Sequence, residues 1–531
     1  MRRVFISLII VANLLLPAVS RGQETQETQE KSEEVLALSL EDVIIRTLKN
    51  NYGVAIQLLN PELADLSVSR AQEIFYPQLG LSYNNRETAN ASYSFLEATD
   101  VLETKYFSYD AAISQLLPTG GTLSATVNNA KNNTNSKYQT INPRYSSTLR
   151  FDFRQPLLKG FGSKMTKINI LVSENDYEMS LNELETTVAT IIDAVTQAYW
   201  NLSYSIANLK VRQQALALAQ DLLAKNQRAV EVGTLAPIEI LSAQAEVATR
   251  QADILSANAE VKNNEDKLRT IINLPEEEMK AALPIKPVDT PKFVERKINV
   301  EEALGTAMAN RPELKSIRVG LKTRDLDLSY AKNQRLPDLS FNASYWSPGI
   351  SGDQIIYQND DPLTGIIIGT VPGGFEQAVN DAFGFKYNNL ALALTLDIPL
   401  STIFSNAAVA QAQVSLDQAT LRLKNEEQVI FLEIRNGVRT LGTNYERVQA
   451  YKVARDLADQ KLKAEEEKLR VGLSTNFTVL QYQRDLSDAQ ISELRAIVDY
   501  LNSEVALETS MGVSLKNRGL TLEQLTATSP K

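Results

Sequence analysis

Cysteine and histidine are both absent from the 531 residues of this chain. Without cysteine the chain can form no disulfide and can carry no lipid on an N-terminal cysteine. Without histidine it lacks the usual general base, the commonest metal ligand and the Ser/His and Cys/His nucleophile pairs. Carboxylates remain, but no Asp-rich calcium loop or Gly-rich phosphate loop is present. The sequence therefore predicts a protein that is not an enzyme and uses no cofactor.

Long apolar runs are also missing, with one short exception at the N-terminus. Two arginines precede an apolar run over residues 4–16, and small residues follow at 18–20. That run is shorter than the roughly 20 residues of a transmembrane helix, and the small residues suit a signal peptidase. We predict a signal peptide over residues 1–20 and an exported chain. A helical membrane protein is excluded, but a membrane β-barrel, whose pattern alternates, is not.

Concentrated positive charge is the third absence. The net charge is −10 and is spread along the chain rather than gathered in blocks. Nucleic-acid binding needs clustered Lys and Arg to contact phosphates. Nucleic acid is therefore not an expected partner.

What the chain does contain is one internal repeat. Residues 40–83 align without a gap with residues 300–343, including Pro77 with Pro337. Later, "VEVGTLAPIEILSAQ" at 230–244 shares its skeleton with "LRVGLSTNFTVLQYQ" at 469–483. Two segments in the same order indicate two copies of one structural plan.

Each copy has the same predicted order of short helices, strands and a long helical hairpin. The expected segments of the first copy (39–274) are helices 39–75, strands 78–156 and hairpin 163–273; those of the second (299–512) are helices 299–335, strands 338–398 and hairpin 404–511. A polar N-terminal segment (21–38), a proline-rich connector (275–298) and a polar C-terminal tail (513–531) complete the chain.

The strands alternate apolar residues with polar or charged ones. "LRFDFR" at 149–154 and "LALALTLD" at 390–397 show the period of two most clearly. A soluble sandwich would also alternate, but strict alternation with charges and long polar loops favour a barrel wall with one face in lipid. The lipid-facing candidates are Leu149, Phe151, Phe153, Leu390, Leu392, Leu394 and Leu396.

The first copy carries an extra hairpin at 105–128, turned by "PTGG", so four strands are expected there and two in the second copy. If the hairpin joins the wall, a trimer has 18 strands; if it lies in a loop, the trimer has 12.

The hairpins are predicted from two long stretches without proline. A helix from about residue 165 to residue 231 would be roughly 100 Å long, and it stops at Val-Gly, where Gly tolerates the left-handed conformation. The returning helix carries a heptad-like seam of small residues: Leu241, Ala245, Ala248, Ala252, Leu255 and Ala259. Such a seam buries little area, so several hairpins must pack side by side.

The order of these segments, with "QPLLKGFG" at 155–162 and the two Val-Gly phrases, resembles the TolC-like outer membrane efflux proteins. The resemblance implies an α+β membrane protein: a homotrimer whose strands form one outer-membrane β-barrel and whose antiparallel coiled-coil hairpins form a periplasmic α-barrel. It implies the exit duct of a tripartite efflux pump or type I secretion system, in the outer membrane of a Gram-negative-type cell. A periplasmic adaptor, serving an inner-membrane pump, would dock at the hairpin tips, here Val232, Gly233, Thr234, Leu235, Val471, Gly472, Leu473 and Ser474.

Members of that family close the periplasmic aperture with carboxylates just after the second tip. The matching positions are Thr478 and Gln481, which are uncharged, and in the first copy Glu239 and Ser242. An acidic constriction built by the second copy is therefore not expected, and Glu239 is the candidate carboxylate. The alternative is that Glu239 is only a solvated residue in the first turn of a helix, where the helix dipole favours a negative charge.

Two other classes of protein stay open from the sequence. A periplasmic coiled-coil adaptor or scaffold that never enters lipid would share the signal peptide and the hairpins, but not the Leu/Arg alternation. A secreted carbohydrate-active enzyme would need paired carboxylates converging on a cleft. A wide aqueous lumen selects by size and charge, so drug efflux, metal efflux and protein secretion are all compatible with the sequence.

Overall fold

The computed structural model of the chain describes residues 35–93, 97, 99–281, 283–291, 293–401 and 403–521. The predicted signal peptide and most of the polar N-terminal segment lie outside these residues. Within them, two helices, antiparallel strands and a long helical hairpin occur twice in the same order. The two-fold internal repeat is therefore confirmed.

A short strand, β1 (Leu36–Leu38), precedes the first copy. The first copy consists of α1 (Leu40–Asn50), α2 (Tyr52–Gln72), β2 (Gln78–Ala91), β3 (Val101–Leu116), β4 (Thr122–Thr134), β5 (Ile141–Pro156), α3 (Ser163–Thr166), α4 (Ile168–Glu231) and α5 (Ile238–Ile272). The connector contains α6 (Glu276–Ala281) and β6 (Ile285–Pro287). The second copy consists of α7 (Val300–Asn310), α8 (Pro312–Gln334), β7 (Asp338–Tyr357), β8 (Ile367–Val371), α9 (Phe375–Phe383), β9 (Asn389–Asp397), α10 (Ile403–Arg470) and α11 (Asn476–Ser510), and α12 (Ser514–Asn517) follows it.

Local sequence signals set the ends of the short helices. Ser39 and Asp42 form a capping box at the start of α1. Asn51 follows α1, and its side-chain oxygen accepts hydrogen bonds from the amides of Gly53 and Val54 in the first turn of α2. In the second copy Asn299 caps α7, and Pro312 occupies the first position of α8, where its missing N–H costs nothing. The two copies thus reach the same boundaries with different residues.

All strands of the two copies form one antiparallel sheet in the described part of the chain, while β1 and β6 pair separately. Its order is β2-β3-β4-β5-β7, and both β8 and β9 pair with β7. The extra hairpin, β3 and β4, therefore lies inside the sheet between β2 and β5. The prediction of two strands in the second copy is wrong, because β8 pairs with the far end of β7. The run "IIIGTV" at 366–371 does not alternate, so it carried no strand signal.

The helical rods extend from one end of the sheet. The helix α4 has 64 residues and α10 has 68, so each is about 100 Å long at 1.5 Å per residue. The returning helices α5 and α11 have 35 residues each and cover about half of that length. Over the other half, α2 packs on α4, and α8 packs on both α4 and α10. No helix in the described part of the chain is long and apolar enough to cross a membrane.

Two hydrophobic cores lie where the short helices meet the rods, one centred on α1, α4 and α5 and the other on α7, α10 and α11. In each core a buried tyrosine forms a hydrogen bond to the connector. Tyr199 donates to Asp289 at 2.7 Å, and Tyr500 donates to the Val294 carbonyl at 2.8 Å. Burial, reinforced by the hydrogen bond to Asp289, raises the pKa of Tyr199, so its hydroxyl stays a donor. The connector is thereby fixed to both copies.

The chain segments at either end of the repeats also pack on the cores. The strand β1 pairs in parallel with β6 of the connector. Residues 514–520 belong to the predicted polar tail (513–531), but Leu515 is buried and Leu520 packs against the first core. Isolated leucines in a polar segment carry no periodic signal, so the sequence could not place them. The remainder of the predicted tail, residues 522–531, lies outside the described residues.

Candidate functional site

The two hairpin tips have the same backbone geometry. At the first, the amides of Gly233 and Thr234 donate to the carbonyls of Val230 and Ala229 at 3.0 and 2.9 Å. At the second, Gly472 and Leu473 donate in the same pattern to the last turn of α10, at 3.0 and 2.8 Å. This is the Schellman arrangement, which satisfies the last carbonyls of a helix.

The two tip glycines are required by backbone conformation alone. The φ angles of Gly233 and Gly472 are +77° and +80°. A Cβ at either position would meet no atom within 4 Å. Residues other than Gly are therefore disfavoured at these two positions because of the left-handed φ and not because of crowding.

The side chains of the tips are largely exposed. Leu473 is 78% exposed and Val232 is 74% exposed, and Val471 is also exposed. Thr234 is exposed, and Leu235 and Ser474 are half-buried. The Ser474 hydroxyl donates to Glu465 at 2.6 Å. This bond, followed by that from Lys468, lowers the pKa of Glu465, so the contact is present at neutral pH and is lost only in acid.

The four aperture candidates do not come together within one chain. The carboxylate of Glu239, in the first turn of α5, accepts from the Asn476 amide at 3.4 Å. Ser242 and Gln481 are exposed, and Thr478 is half-buried against its cap Thr475. The structure therefore pairs Glu239 with the second tip through Asn476 and not through Thr478 or Gln481.

A charged cluster near the tips was missed by sequence reasoning. Glu246 and Arg250 on α5 are 5% and 3% exposed, and the Arg250 Nε donates to the Glu246 carboxylate at 2.8 Å. Arg484 on α11 donates to the same carboxylate and so joins the two hairpins. A Glu and an Arg four residues apart are common on solvated helix surfaces, so their spacing alone does not single them out. The sequence does contain one indication of their burial: their spacing puts them on the same side of α5 as Ala243 and Ala257, which is the buried side.

The heptad-like seam predicted on α5 is not the face that packs within the chain. Leu241 and Leu255 are exposed, as are the seam alanines Ala245, Ala248 and Ala252. The residues that α5 buries are instead Ala243, Glu246, Arg250 and Ala257. The repeat-related residues also differ, since Leu480 is buried among Leu222 and Leu462. The small-residue seam is left free for a neighbour outside the chain.

The sheet separates an apolar face from a polar one. Cross-strand register places the predicted apolar residues of β5, β7 and β9 on one face. Leu394 is 66% exposed there; Leu390, Leu392, Leu396 and Phe151 are exposed and Phe153 is half-buried. Leu149 is an exception at 8% exposure. It lies beside the part of β5 and β7 that α9 covers, a contact that alternation could not reveal.

The opposite face carries a charged network. The Arg150 Nε donates to Asp152 at 2.8 Å, and the hydroxyl of Ser344 donates to the same carboxylate at 2.6 Å. Arg154 and Asp338 lie 3.6 Å apart at one end of this face. One face of the sheet is thus suited to hydrocarbon and the other to water.

Comparison with known proteins agrees with this geometry. The family model of the outer membrane efflux proteins matches residues 153–274 and 303–513, more than half of the chain. The chain belongs to the outer membrane efflux protein family.

Individual relatives are similar over most of their length. The outer membrane protein TolC of Vibrio cholerae serotype O1 is 24% identical over 376 residues, which span 70% of this chain and 78% of that protein. A solved membrane protein from Pseudomonas aeruginosa has a TM-score of 0.64 and 14% identity and covers 89% of this chain and 93% of its own. The CmeC outer membrane channel of Campylobacter jejuni has a TM-score of 0.61 and 14% identity and covers 97% and 99%.

Membership confirms the resemblance seen in the sequence. This outer membrane efflux protein resides in the outer membrane, with its helical barrel on the periplasmic side, and serves as an exit duct. The fold class of long helices with an antiparallel sheet is confirmed by the solved structures. The alternative of a periplasmic scaffold that never enters lipid is set aside, and the family is one of transport proteins rather than enzymes.

The buried cluster gives a first prediction. Glu246→Gln leaves Arg250 buried without a carboxylate, which should cost about 3 kcal/mol, as breaking a buried ion pair does. Hydrogen–deuterium exchange should accelerate in α5 and α11 around residues 246 and 484. The matched control is Asp221→Asn, which removes an exposed pair with Lys225 and should cost no more than about 0.5 kcal/mol. Equal exchange in the two variants would contradict the structural role of Glu246.

Proposed function

We propose that three copies of this chain close around one axis into a continuous duct, which an adaptor and an inner-membrane pump engage at the hairpin tips. Three is the number that the family resemblance implies. The observation that carries the proposal is that a single chain leaves matching strand edges and helix faces without partners. The duct would be a passive conduit that performs no chemistry. In the described residues no group of three or more carboxylates is arranged to hold a metal ion.

The sheet edges support closure between copies. Among the described residues no strand pairs with the outer edge of β2 or with that of β9. Leu79, Leu81 and Leu394 on these strands are all more than half exposed. Unpaired backbone groups cannot remain in hydrocarbon, so an open sheet is not viable there. Since β2 and β9 run in opposite directions, β9 of one copy can pair antiparallel with β2 of the next.

Strand number follows from the same arrangement. Six strands cross the sheet in one copy, since β8 has only five residues and extends the far end of β7. Three copies would give an 18-stranded barrel, within the even-numbered range of outer-membrane barrels. The inward charged face would line an aqueous lumen, and the outward row of Leu390, Leu392, Leu394 and Leu396 would contact lipid.

The helices support closure by internal symmetry. In the second copy α8 packs on both α4 and α10, whereas the repeat-related α2 packs on α4 and leaves its other side bare. That bare side is an apolar stripe with heptad-like steps of three, four and three residues: Ile56, Leu59, Leu63 and Leu66, all at least 50% exposed. We infer that α10 of the neighbouring copy fills this position. Its exposed Val414 and Leu421 are suitable contacts.

Opening of the duct is proposed to depend on partner binding at the tips. Val232, Leu473 and their neighbours lie farthest from the sheet and are held by identical turns, so they offer two similar docking points for each copy. The bonds from Asn476 to Glu239 and from Arg484 to Glu246 connect the two hairpins just behind the tips. A partner that moves one hairpin relative to the other must change these contacts.

The membrane wall gives a second prediction. Leu394→Lys should block assembly in the outer membrane, because Lys on the lipid face near the midplane costs about 2–4 kcal/mol. Thr395→Lys is the matched control, since Thr395 lies on the polar face, bonded to Asn342. Membrane fractionation and heat-resistant oligomers on SDS gels measure the result. Normal assembly of the Leu394 variant would contradict a lipid-facing role for this row.

The bare side of α2 gives a third prediction. Leu63→Lys should dissociate the oligomer, because each buried leucine contributes about 1.5–3 kcal/mol and the charge would enter every interface. Asp65→Lys places the same charge on an exposed part of α2 away from the stripe and should leave assembly intact. Light scattering of the detergent-solubilised protein gives the mass of each variant. An intact oligomer in the Leu63 variant would exclude α2 from the contact between copies.

Docking at the tips gives a fourth prediction. A photo-crosslinking phenylalanine derivative placed at Leu473 in living cells should capture a periplasmic adaptor, identifiable by mass spectrometry. The same group at Leu255, which is 72% exposed on α5 but distant from the tip, should capture only copies of the chain. Adaptor capture at Leu255 alone would place the docking surface away from the tips, and capture at both positions would contradict docking confined to the tips.

A further inference from the structure

The apolar face of the sheet ends at the same level on every long strand. Cross-strand register aligns Tyr83, Tyr109, Asn129, Ser147 and Gly349 in one row, here called the boundary row. On the side of this row nearer the rods, the face carries Leu, Phe, Val, Ile and Ala, with few exceptions. The next row beyond it has the polar residues Asn85, Lys131 and Ser351 and two aromatic rings, Phe107 and Tyr145. The change in polarity is thus a property of the whole wall and not of one strand.

The height of the apolar part fits a membrane. Leu339 and Gly349 are ten residues apart on β7, which is about 33 Å along an extended strand. At the usual tilt of about 40° this gives roughly 25 Å along the membrane normal, the height of the apolar band of outer-membrane barrels. The boundary row therefore falls where hydrocarbon gives way to headgroups. Because the rods leave the opposite end, this is the outer leaflet.

The helix α9 is seated on the boundary row. A Cβ at Gly349 would lie 1.9 Å from the carbonyl oxygen of Ala378, so only glycine permits this approach. Ala378 and Ala382 are fully buried, and Ser147 and Ser347 beneath the helix are also buried. Their small side chains leave room for the helix to pack closely against β5 and β7. The sheet thus provides a fitted seat for α9 at this level.

Aromatic rings continue from the sheet onto α9. Tyr83, Phe107 and Tyr109 contact one another with centroids 5.3 and 6.0 Å apart, and Phe375 of α9 lies 5.9 Å from Tyr109 and 6.2 Å from Tyr145. The intervening strand β4 supplies no ring at this height, since it carries Asn129 and Lys131. Aromatic girdles mark both interfaces of outer-membrane barrels. Phe375 supplies an aromatic ring to the outer girdle at the position where β4 has none.

The chain after α9 returns toward β9 with further aromatics. Phe385 stacks on Tyr345 with centroids 5.8 Å apart, although its φ of +51° is unfavourable for a bulky residue by about 1–2 kcal/mol. A glycine would adopt this φ without that cost but would not supply the ring that packs on Tyr345. Phe383 and Tyr387 beside it are 49% and 52% exposed. By contrast, α9 turns Glu376, Gln377 and Asn380 outward.

We propose that residues 375–387, the rim segment, are an interfacial lipid anchor: α9 lies at the headgroup level with its polar side to water, and Phe383, Phe385 and Tyr387 contact the acyl chains below. The partner is the lipid surface, because the segment continues the apolar face and the aromatic girdle. Its outward polar side excludes deeper insertion. The proposal rests on the proposed membrane wall, and the test separates the two.

The absence of cysteine permits a direct test. Single variants Phe383→Cys, Glu376→Cys and Leu394→Cys each carry a nitroxide label in the full chain, reconstituted in phosphatidylcholine vesicles. Collision with oxygen, which concentrates in lipid, is compared with collision with a water-soluble nickel chelate. We expect the label at 394 to be deep, the label at 383 to be in lipid but shallow, and the label at 376 to be accessible to nickel.

Each other outcome overturns a specific statement. If 394 is deep while 383 is as accessible to nickel as 376, the rim segment does not anchor in lipid although the wall stands. If 383 is protected from both reagents, a protein neighbour covers it, and if it is as deep as 394, the segment lies within the hydrocarbon; both results refute the proposal. If 394 is itself accessible to nickel, the membrane wall fails, and the rim proposal fails with it.

A second variant tests the seat. Gly349→Val should displace α9 and shift the label at 383 from lipid to water, with the label at 394 unchanged. Gly369→Val in β8 is the matched control, because a Cβ there meets only Ile356 at an ordinary 3.8 Å. An unchanged label at 383 in the Gly349 variant would show that the seat does not position the anchor.

Discussion

Satisfaction of backbone hydrogen bonds in hydrocarbon is the constraint on which the rest of this architecture depends. A sheet with one apolar face can enter a bilayer only if every strand edge is paired, and one chain leaves the edges of β2 and β9 open. Closure by further copies is the available solution. Because α4, α8 and α10 pack together beyond the end of the sheet, closing the sheet also closes the rods, and the bare stripe of α2 lies where such a ring needs a contact.

The rods show how a thin structure can be specified without a large core. Their two hydrophobic cores lie together near the middle, with the connector bonded to Tyr199 and Tyr500. Nearer the tips the rods bury a smaller apolar cluster around Leu222, Leu462 and Leu480. Beside it Glu246 and Arg250 are buried, and the exposed Arg484 of α11 bonds to Glu246. Ion pairs of this kind add little net stability but tolerate few alternative alignments. The bond from Arg484 to Glu246 therefore specifies which faces of α5 and α11 meet.

Different elements border the outer and inner ends of the wall. At the inner end strands continue directly into the rods, so the helices determine its position. At the outer end the boundary row, the ring contacts and α9 coincide at one height. The strands β3 and β4 of the first copy, and β8 and α9 of the second, have no counterpart in the other copy. The first pair broadens the wall, and β8 and α9 lie at its outer end.

The sequence by itself determined the features that depend on near neighbours: the repeat, the alternation of β5 and β9, the lengths of α4 and α10, and the left-handed Gly233 and Gly472. Each follows from steric rules within a few residues. Only the tertiary structure decided that α5 buries Glu246 and leaves Leu241 exposed, that β8 exists, that α9 shields Leu149's part of the wall and that Leu515 joins a core. Those outcomes depend on which distant part of the chain packs against each surface. The sequence period shows that a helix or strand has an apolar or a charged face, but not which face is buried.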